Sequence, residues 1–111
     1  MMRAGLVSLF AFFAAVSVWP ALAASARDAK AERGLSFALV HCARCHAVDR
    51  SGRSRLRAAP PFRDLAGRVP VDDLADVLVE GVAYRHPAMP EFRLEPDEAS
   101  DLTAYLKSLR R

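Results

Sequence analysis

The sequence predicts a single all-α domain built on three main helices. Apolar residues recur at helical spacing in three segments, and no segment shows the alternating apolar and polar residues typical of a strand. The length of 111 residues suits one domain. Two stretches that contain proline and charged residues, 47–70 and 82–94, interrupt the helical periodicity and are predicted to be mostly irregular.

The first predicted helix covers residues 25–41. Its start, Ser25-x-x-Asp28, has the spacing of a capping box, in which side chains bond to the otherwise unpaired amides of the first turn. Gly34 lies in the middle of this helix, where glycine costs about 1 kcal/mol relative to alanine, so we expect a second helix to approach closely there. One stripe of small or apolar residues runs along the helix: Ala31, Gly34, Leu35 and Ala38.

The second and third predicted helices are marked by their ends. Residues 71–80 begin with acidic residues, which stabilise the positive end of the helix dipole, and Gly81 follows at the position of a carboxyl-terminal cap. The third helix is predicted to begin at Pro96, because proline suits the first helical position. Basic residues, Arg111 among them, complement its negative end. Its apolar stripe consists of Ala99, Leu102, Leu106 and Leu109.

The amino-terminal 23 residues are organised like a secretory signal. A basic head that includes Arg3 precedes an apolar run over residues 6–18, and Ala21-Leu22-Ala23 supplies the small-x-small pattern of a signal-peptidase site. We therefore expect a signal peptide over residues 1–23 and a mature domain over residues 24–111.

An uncleaved membrane anchor is the alternative for this segment. The apolar stretch from Leu6 to Ala24 is 19 residues long, close to the roughly 20 that span a bilayer. We prefer cleavage, because Pro20 is expected to break the helix and Ala-x-Ala is a peptidase site. Loss of the signal removes one basic residue from a formal net charge of +3, and so small an excess does not predict a nucleic-acid partner.

Cys42-Ala43-Arg44-Cys45-His46 is the segment that constrains function most. Two cysteines three positions apart can each form a thioether with a vinyl group of haem, and the histidine that follows can direct its imidazole to the iron. Cys42 and Cys45 are the only cysteines of the chain. The motif therefore predicts one covalently bound haem c, with His46 as an axial ligand of the iron.

A thiol–disulfide redox pair and half of a zinc site are the other interpretations of Cys-x-x-Cys. The redox pair is typical of a βαβ context, which the sequence does not show. A zinc site needs four ligands, and only three histidines are available to join the cysteines: His41, His46 and His86. The adjacent histidine, the export signal and a downstream methionine loop together favour haem.

Met89 is the predicted second axial ligand. It is the only methionine outside the signal, and Pro87 and Pro90 stiffen the loop around it. Methionine opposite histidine raises the reduction potential of haem iron. His86 is the rival ligand, and ligation by two histidines would give a lower potential.

The chain resembles a small class I, monohaem c-type cytochrome over essentially all of the segment after the signal. The resemblance rests on Cys-x-x-Cys-His after a first helix, on Ala59-Pro60-Pro61-Phe62 in the following loop, and on a methionine loop before a final amphipathic helix. It implies a cytochrome c-like bundle of three main helices around one haem. It also implies that Gly34 faces Tyr105, and that the Pro60 carbonyl accepts a hydrogen bond from His46 Nδ1.

Two positions depart from the pattern of that family. Ala38 stands four residues before Cys42, where many relatives have an aromatic residue, and no tryptophan lies outside the signal to bind a haem propionate. Arg55, Arg57 and Tyr84 are the candidate replacements for that tryptophan.

The loop after the haem motif carries four arginines, which are predicted to be solvated. The alternative is that one or two pair with haem propionates while the rest steer docking to an acidic partner. The four are Arg50, Arg53, Arg55 and Arg57.

The resemblance implies a periplasmic protein that carries single electrons between transient protein redox partners and is not itself an enzyme. We expect neither nucleic-acid binding nor stable membrane insertion after signal cleavage. Two other uses stay open. One is a haem-based ligand sensor or catalytic haem subunit with an open sixth position on the iron, and the other is the cytochrome subunit of a periplasmic dehydrogenase.

Overall fold

The computed structural model describes residues 18–81, 86–91 and 93–110. Those residues form helices and no strand, so the predicted all-α fold class is confirmed. The predicted basic head and most of the apolar run lie outside the described residues, as do Tyr84 and Arg111. The helices are α1 (Val18–His41), α2 (Phe62–Arg68), α3 (Val71–Glu80) and α4 (Pro96–Ser108).

Helix α1 is longer than predicted at its amino-terminal end. It is described from Val18, so Ser25 lies inside the helix and the capping box expected at Ser25-x-x-Asp28 is wrong. Pro20 lies inside this helix and does not interrupt it, so the break expected at Pro20 is wrong. No helix among the described residues is both long and apolar enough to cross a membrane.

Helix α2 was missed by the sequence analysis, which placed it in an irregular stretch. It begins directly after Pro61, with Asp64 in its first turn and Arg68 in its last, both favourable for the helix dipole. Phe62 and Ala66 lie one turn apart and are both buried. Its seven residues are too few to show a helical period in the sequence.

Helix α3 has the predicted bounds, and helix α4 begins at Pro96 as predicted and ends at Ser108. Gly81 ends α3 with a φ of 106° and donates its amide to Val77 O at 2.9 Å, a backbone conformation that glycine adopts without a steric penalty. Pro96 is the first residue of α4, and Glu95 and Glu98 form a reciprocal capping box around it. The sequence analysis did not identify that box.

Helices α1 and α4 touch through their backbones at Gly34. A Cβ built on Gly34 would lie 2.6 Å from the carbonyl carbon of Asp101 and 2.9 Å from Cβ of Tyr105, and nearer still to the Asp101 carbonyl oxygen. The expected close approach and the facing of Gly34 and Tyr105 are therefore present. Arg33 holds the same contact from outside, because its guanidinium donates to both carboxylate oxygens of Asp101 at 2.7 and 2.9 Å.

The core lies between these crossing helices and the segments that pack against them. Ala38, four residues before Cys42, is fully buried in it. Leu94 joins the core from the segment before α4 and donates its amide to Leu78 O of α3 at 3.1 Å. The largest contributions come from Phe62, Leu78, Leu94, Leu102, Tyr105 and Leu106.

We expect Gly34→Ala to destabilise the protein by about 1–3 kcal/mol, because the added methyl forces the backbones of α1 and α4 apart. The thermal midpoint should fall by roughly 4–8 °C for each kcal/mol in a domain of this size. Gly67→Ala is the matched control, because Gly67 lies inside α2 and a Cβ there meets no atom within 4 Å. If both variants melt at the same temperature, the contact at Gly34 does not limit stability.

Candidate functional site

A cavity of about 550 Å³ opens beside the end of α1. It is lined by Cys42, Cys45, His46 and Met89, so the fold brings the predicted haem-binding side chains to one cavity. The rest of the wall is largely apolar. Seven of its apolar members come from α2, α3 and α4: Phe62, Leu65, Leu74, Val77, Leu78, Leu102 and Leu106.

The Cys-x-x-Cys-His motif continues the path of α1 as a turn. Cys42 donates its amide to Ala38 O at 2.8 Å, and His46 donates to Cys42 O at 2.9 Å. The Cys45 amide donates to the same carbonyl, Cys42 O, at 3.1 Å, which closes a turn one residue shorter. These local bonds direct both sulfur atoms and the imidazole into the same cavity, as covalent attachment of one ligand requires.

The Cys42 side chain is buried in apolar surroundings. Burial disfavours the charged thiolate and raises the pKa of the Cys42 thiol to about 11. A nucleophilic or zinc-binding cysteine needs a low pKa, whereas a thioether is uncharged and suits a buried position. Within the described residues, no group of three or more His, Cys, Asp and Glu side chains is arranged to hold a metal ion.

The imidazole of His46 is fixed by the loop before α2. Its Nδ1 lies 2.8 Å from Pro60 O. Because a carbonyl oxygen only accepts, Nδ1 carries the proton and Nε2 keeps its lone pair for a metal. The ring of Phe62 packs against the imidazole, with centroids 5.4 Å apart.

Three further hydrogen bonds hold the backbone around His46. Ala47 donates its amide to Ser54 Oγ at 2.9 Å, and its carbonyl accepts from the Phe62 amide at 2.9 Å. Leu56 donates to Cys45 O at 3.1 Å. The loop between the motif and α2 is therefore folded back on the motif, and the sequence analysis identified none of these bonds.

Tyr105 ties the same segment to α4. Its hydroxyl donates to Val48 O at 2.6 Å, and the bond is buried. Burial raises the pKa of Tyr105, and the nearby charge of Asp49 raises it further. This bond could not be predicted from the sequence, because residues 57 positions apart leave no local signal of a hydrogen bond.

Met89 and His86 belong to one turn, in which the Met89 amide donates to His86 O at 2.9 Å. Both residues line the cavity. Met89 is half-buried and packs against the core, whereas His86 is exposed. His41, the third histidine, is exposed and stacks on Phe37 with ring centroids 4.4 Å apart.

The donor set and the cavity fit haem c. Two thiols on one turn suit two vinyl groups, and an imidazole with its lone pair on Nε2 suits one axial position. A thioether from a separate loop suits the other position, and the apolar wall suits the porphyrin face. The fold and the site thus define a helical protein with a covalent haem c centre.

Comparison with known proteins places the chain in a family. Residues 31–110 match the family model described as Cytochrome c. The chain is 36% identical over 86 residues to cytochrome c-552 of Bradyrhizobium diazoefficiens, which covers 78% of this chain and 81% of that protein. No solved structure matches the chain significantly.

The chain belongs to the cytochrome c family. Its cofactor is covalently bound haem c, and its activity is that of a haem c electron carrier with redox partner proteins. The resemblance drawn from the sequence is therefore confirmed.

Replacement of Tyr105 by Phe should destabilise the protein by about 1–3 kcal/mol, because Val48 O loses its partner in a buried position. Urea unfolding of the haem-loaded protein measures this loss.

The same pair of proteins should differ in pH dependence. Since the folded-state pKa of Tyr105 is raised above its ordinary value of 10.0, its stabilising contribution is fully present below that pH and is lost as pH rises through the folded-state pKa. The difference in unfolding free energy between wild type and Tyr105→Phe should therefore shrink above pH 10. A difference that stays constant would contradict the assignment of the shift to Tyr105.

Proposed function

We propose that this chain is an exported monohaem electron carrier in which Cys42 and Cys45 form the thioethers and His46 and Met89 are the axial ligands. The observation that carries this proposal is the convergence of the two thiols, the imidazole and the thioether on one apolar cavity. When bound, haem c supplies a one-electron couple between ferric and ferrous iron.

His46 is held so that its imidazole needs to move little when the haem iron is oxidised or reduced. The bond from its Nδ1 to Pro60 O fixes both the tautomer and the ring plane, and it makes Nε2 a stronger donor. Phe62 limits rotation of the imidazole from one side. A ligand held in this way keeps its geometry in both oxidation states, which favours fast electron transfer.

The burial of Met89 supports it over His86 as the second ligand. Both side chains line the cavity. His86 is exposed and would have to leave water to bind there, whereas Met89 is already packed against the core. A soft thioether opposite an imidazole raises the reduction potential. With both axial positions filled by protein, no position is left for oxygen or carbon monoxide.

Export is proposed on the pattern of residues 1–23, and two observations on α1 agree with it. The family match begins at residue 31, after the proposed signal. The stretch of α1 from Ala24 to Lys30 is exposed, as expected for the start of a mature chain. A haem c protein of this kind fits a bacterial periplasm, where it would exchange electrons through small, transient contacts.

The absorption spectrum and carbon monoxide binding test the proposed ligation. The wild-type protein should show a low-spin spectrum with the weak sulfur-to-iron band and should not bind carbon monoxide when reduced. Met89→Ala should lose that band, bind carbon monoxide and have a lower reduction potential.

His86→Ala is the matched control, because His86 belongs to the same turn and should leave the spectrum unchanged. Ready binding of carbon monoxide by the wild-type protein would contradict the proposal and favour a sensor or a catalytic haem subunit. Loss of the low-spin spectrum in His86→Ala would make His86 the ligand instead.

A further inference from the structure

Three arginine side chains line a second concavity, of about 580 Å³, which we call the arginine cleft. Arg53 and Arg57 come from the loop after the haem motif, and Arg63 comes from α2. Among the described residues, the cleft and the haem cavity share only Ala59. The cleft is therefore a separate feature of the surface, and its remaining lining residues are Ser54 and Pro61.

The geometry of α2 explains why Arg63 faces the cleft. Phe62 and Ala66 turn one face of this helix to the core, and Leu65 lines the haem cavity. Successive helical residues are rotated by about 100°, so Arg63 projects away from that face. One guanidinium nitrogen, Arg63 Nη1, is buried and has no hydrogen-bond partner among the described residues. Buried donors of this kind are rare in proteins and call for an acceptor.

The cleft contains donors and no anion of its own. The ion pairs found among the described residues involve Arg33 and Lys107, and neither belongs to the cleft. Ser54 Oγ accepts from the Ala47 amide at 2.9 Å, which leaves the hydroxyl hydrogen to donate. The arrangement presents three cationic forks and one hydroxyl to the same space.

We propose that Arg53, Arg57 and Arg63 bind a small, dissolved, multivalent oxyanion of the phosphate class, with Ser54 as a fourth donor. The planar fork of arginine matches phosphate oxygens two at a time, which makes arginine the preferred residue for such ligands. The volume of the cleft lies within the range of small-molecule sites, and a concave surface can contact a small anion from several sides. The expected solvated loop is thus, in part, a binding loop.

The Arg50 side chain is excluded from this group by its own contact. Its Nη2 donates to Ser108 O at 3.0 Å, at the end of α4. Arg55 is exposed and lines neither the cleft nor the haem cavity. The four arginines that looked alike in the sequence therefore divide into two that line the cleft and two that do not.

Calorimetric titration of the haem-loaded protein with pyrophosphate, at constant ionic strength, tests the proposal. We expect saturable binding of one pyrophosphate per chain. Arg63→Gln and Arg57→Gln should each weaken it by about tenfold, because each removes charge-assisted hydrogen bonds. The haem absorption spectrum and thermal midpoint show that each variant is folded, and Arg57 lies in an exposed loop that tolerates substitution.

Arg55→Gln is the matched control, with the same change of charge two residues from Arg57. It should change pyrophosphate affinity by no more than about twofold, the size of a screened surface effect. Absence of saturable binding by the wild-type protein would overturn the proposal. Equal weakening by Arg55→Gln and Arg63→Gln would also overturn it, because it would show a diffuse charge effect and no built site.

A membrane phosphate is the other source of the same chemistry. Sedimentation with vesicles of phosphatidylcholine and phosphatidic acid separates the two sources. We expect pyrophosphate to bind without vesicles, and we expect any association with vesicles to be unaffected by Arg63→Gln. Vesicle binding that depends on Arg63, with no binding of pyrophosphate, would overturn the assignment to a dissolved anion.

Discussion

The backbones of α1 and α4 lie against each other at Gly34, and the position of the haem-binding segment follows from that contact. The end of α1 leads directly into Cys42, so any change in the crossing moves the thiols and the imidazole together. Arg33 of α1 stabilises the crossing, because it donates hydrogen bonds to both carboxylate oxygens of Asp101 in α4. Close backbone approach supplies many small dispersion contacts, which stabilise the pair and fix its geometry.

In the loop after the motif, backbone polar groups are paired by hydrogen bonds, and this pairing completes the site. The Pro60 carbonyl is bonded to His46, the Val48 carbonyl to Tyr105, and the Ala47 amide to Ser54. Because these groups face each other, the cavity wall is left largely apolar. An apolar wall disfavours water and lowers the local dielectric. Both effects strengthen the interaction between haem iron and the side chains that bind it.

Helix α2 separates two chemically different surfaces. Its Phe62 and Leu65 contribute to the haem cavity, whereas Arg63 contributes to the arginine cleft. The backbone of residues 59–61 runs between the two spaces and includes the carbonyl that orients His46. A short helix with an apolar face and a charged face thus supports the cofactor on one side and presents cations to solvent on the other.

The sequence alone determined the local chemistry of this protein: the Cys42–His46 motif, the family, the all-α class, both ends of α3 and the first residue of α4. The motif and the helix ends depend on residues within about one helical turn of each other. The family and the fold class depend on the order of motifs and periodic segments along the chain, so all of these features are visible in the sequence. Only the tertiary structure decided the continuation of α1 through Ser25, the presence of α2, the Tyr105–Val48 bond and the grouping of Arg63 with the loop arginines. Each of these depends on partners distant in sequence or on a segment too short to show a period, and burial and hydrogen bonding between distant segments select them.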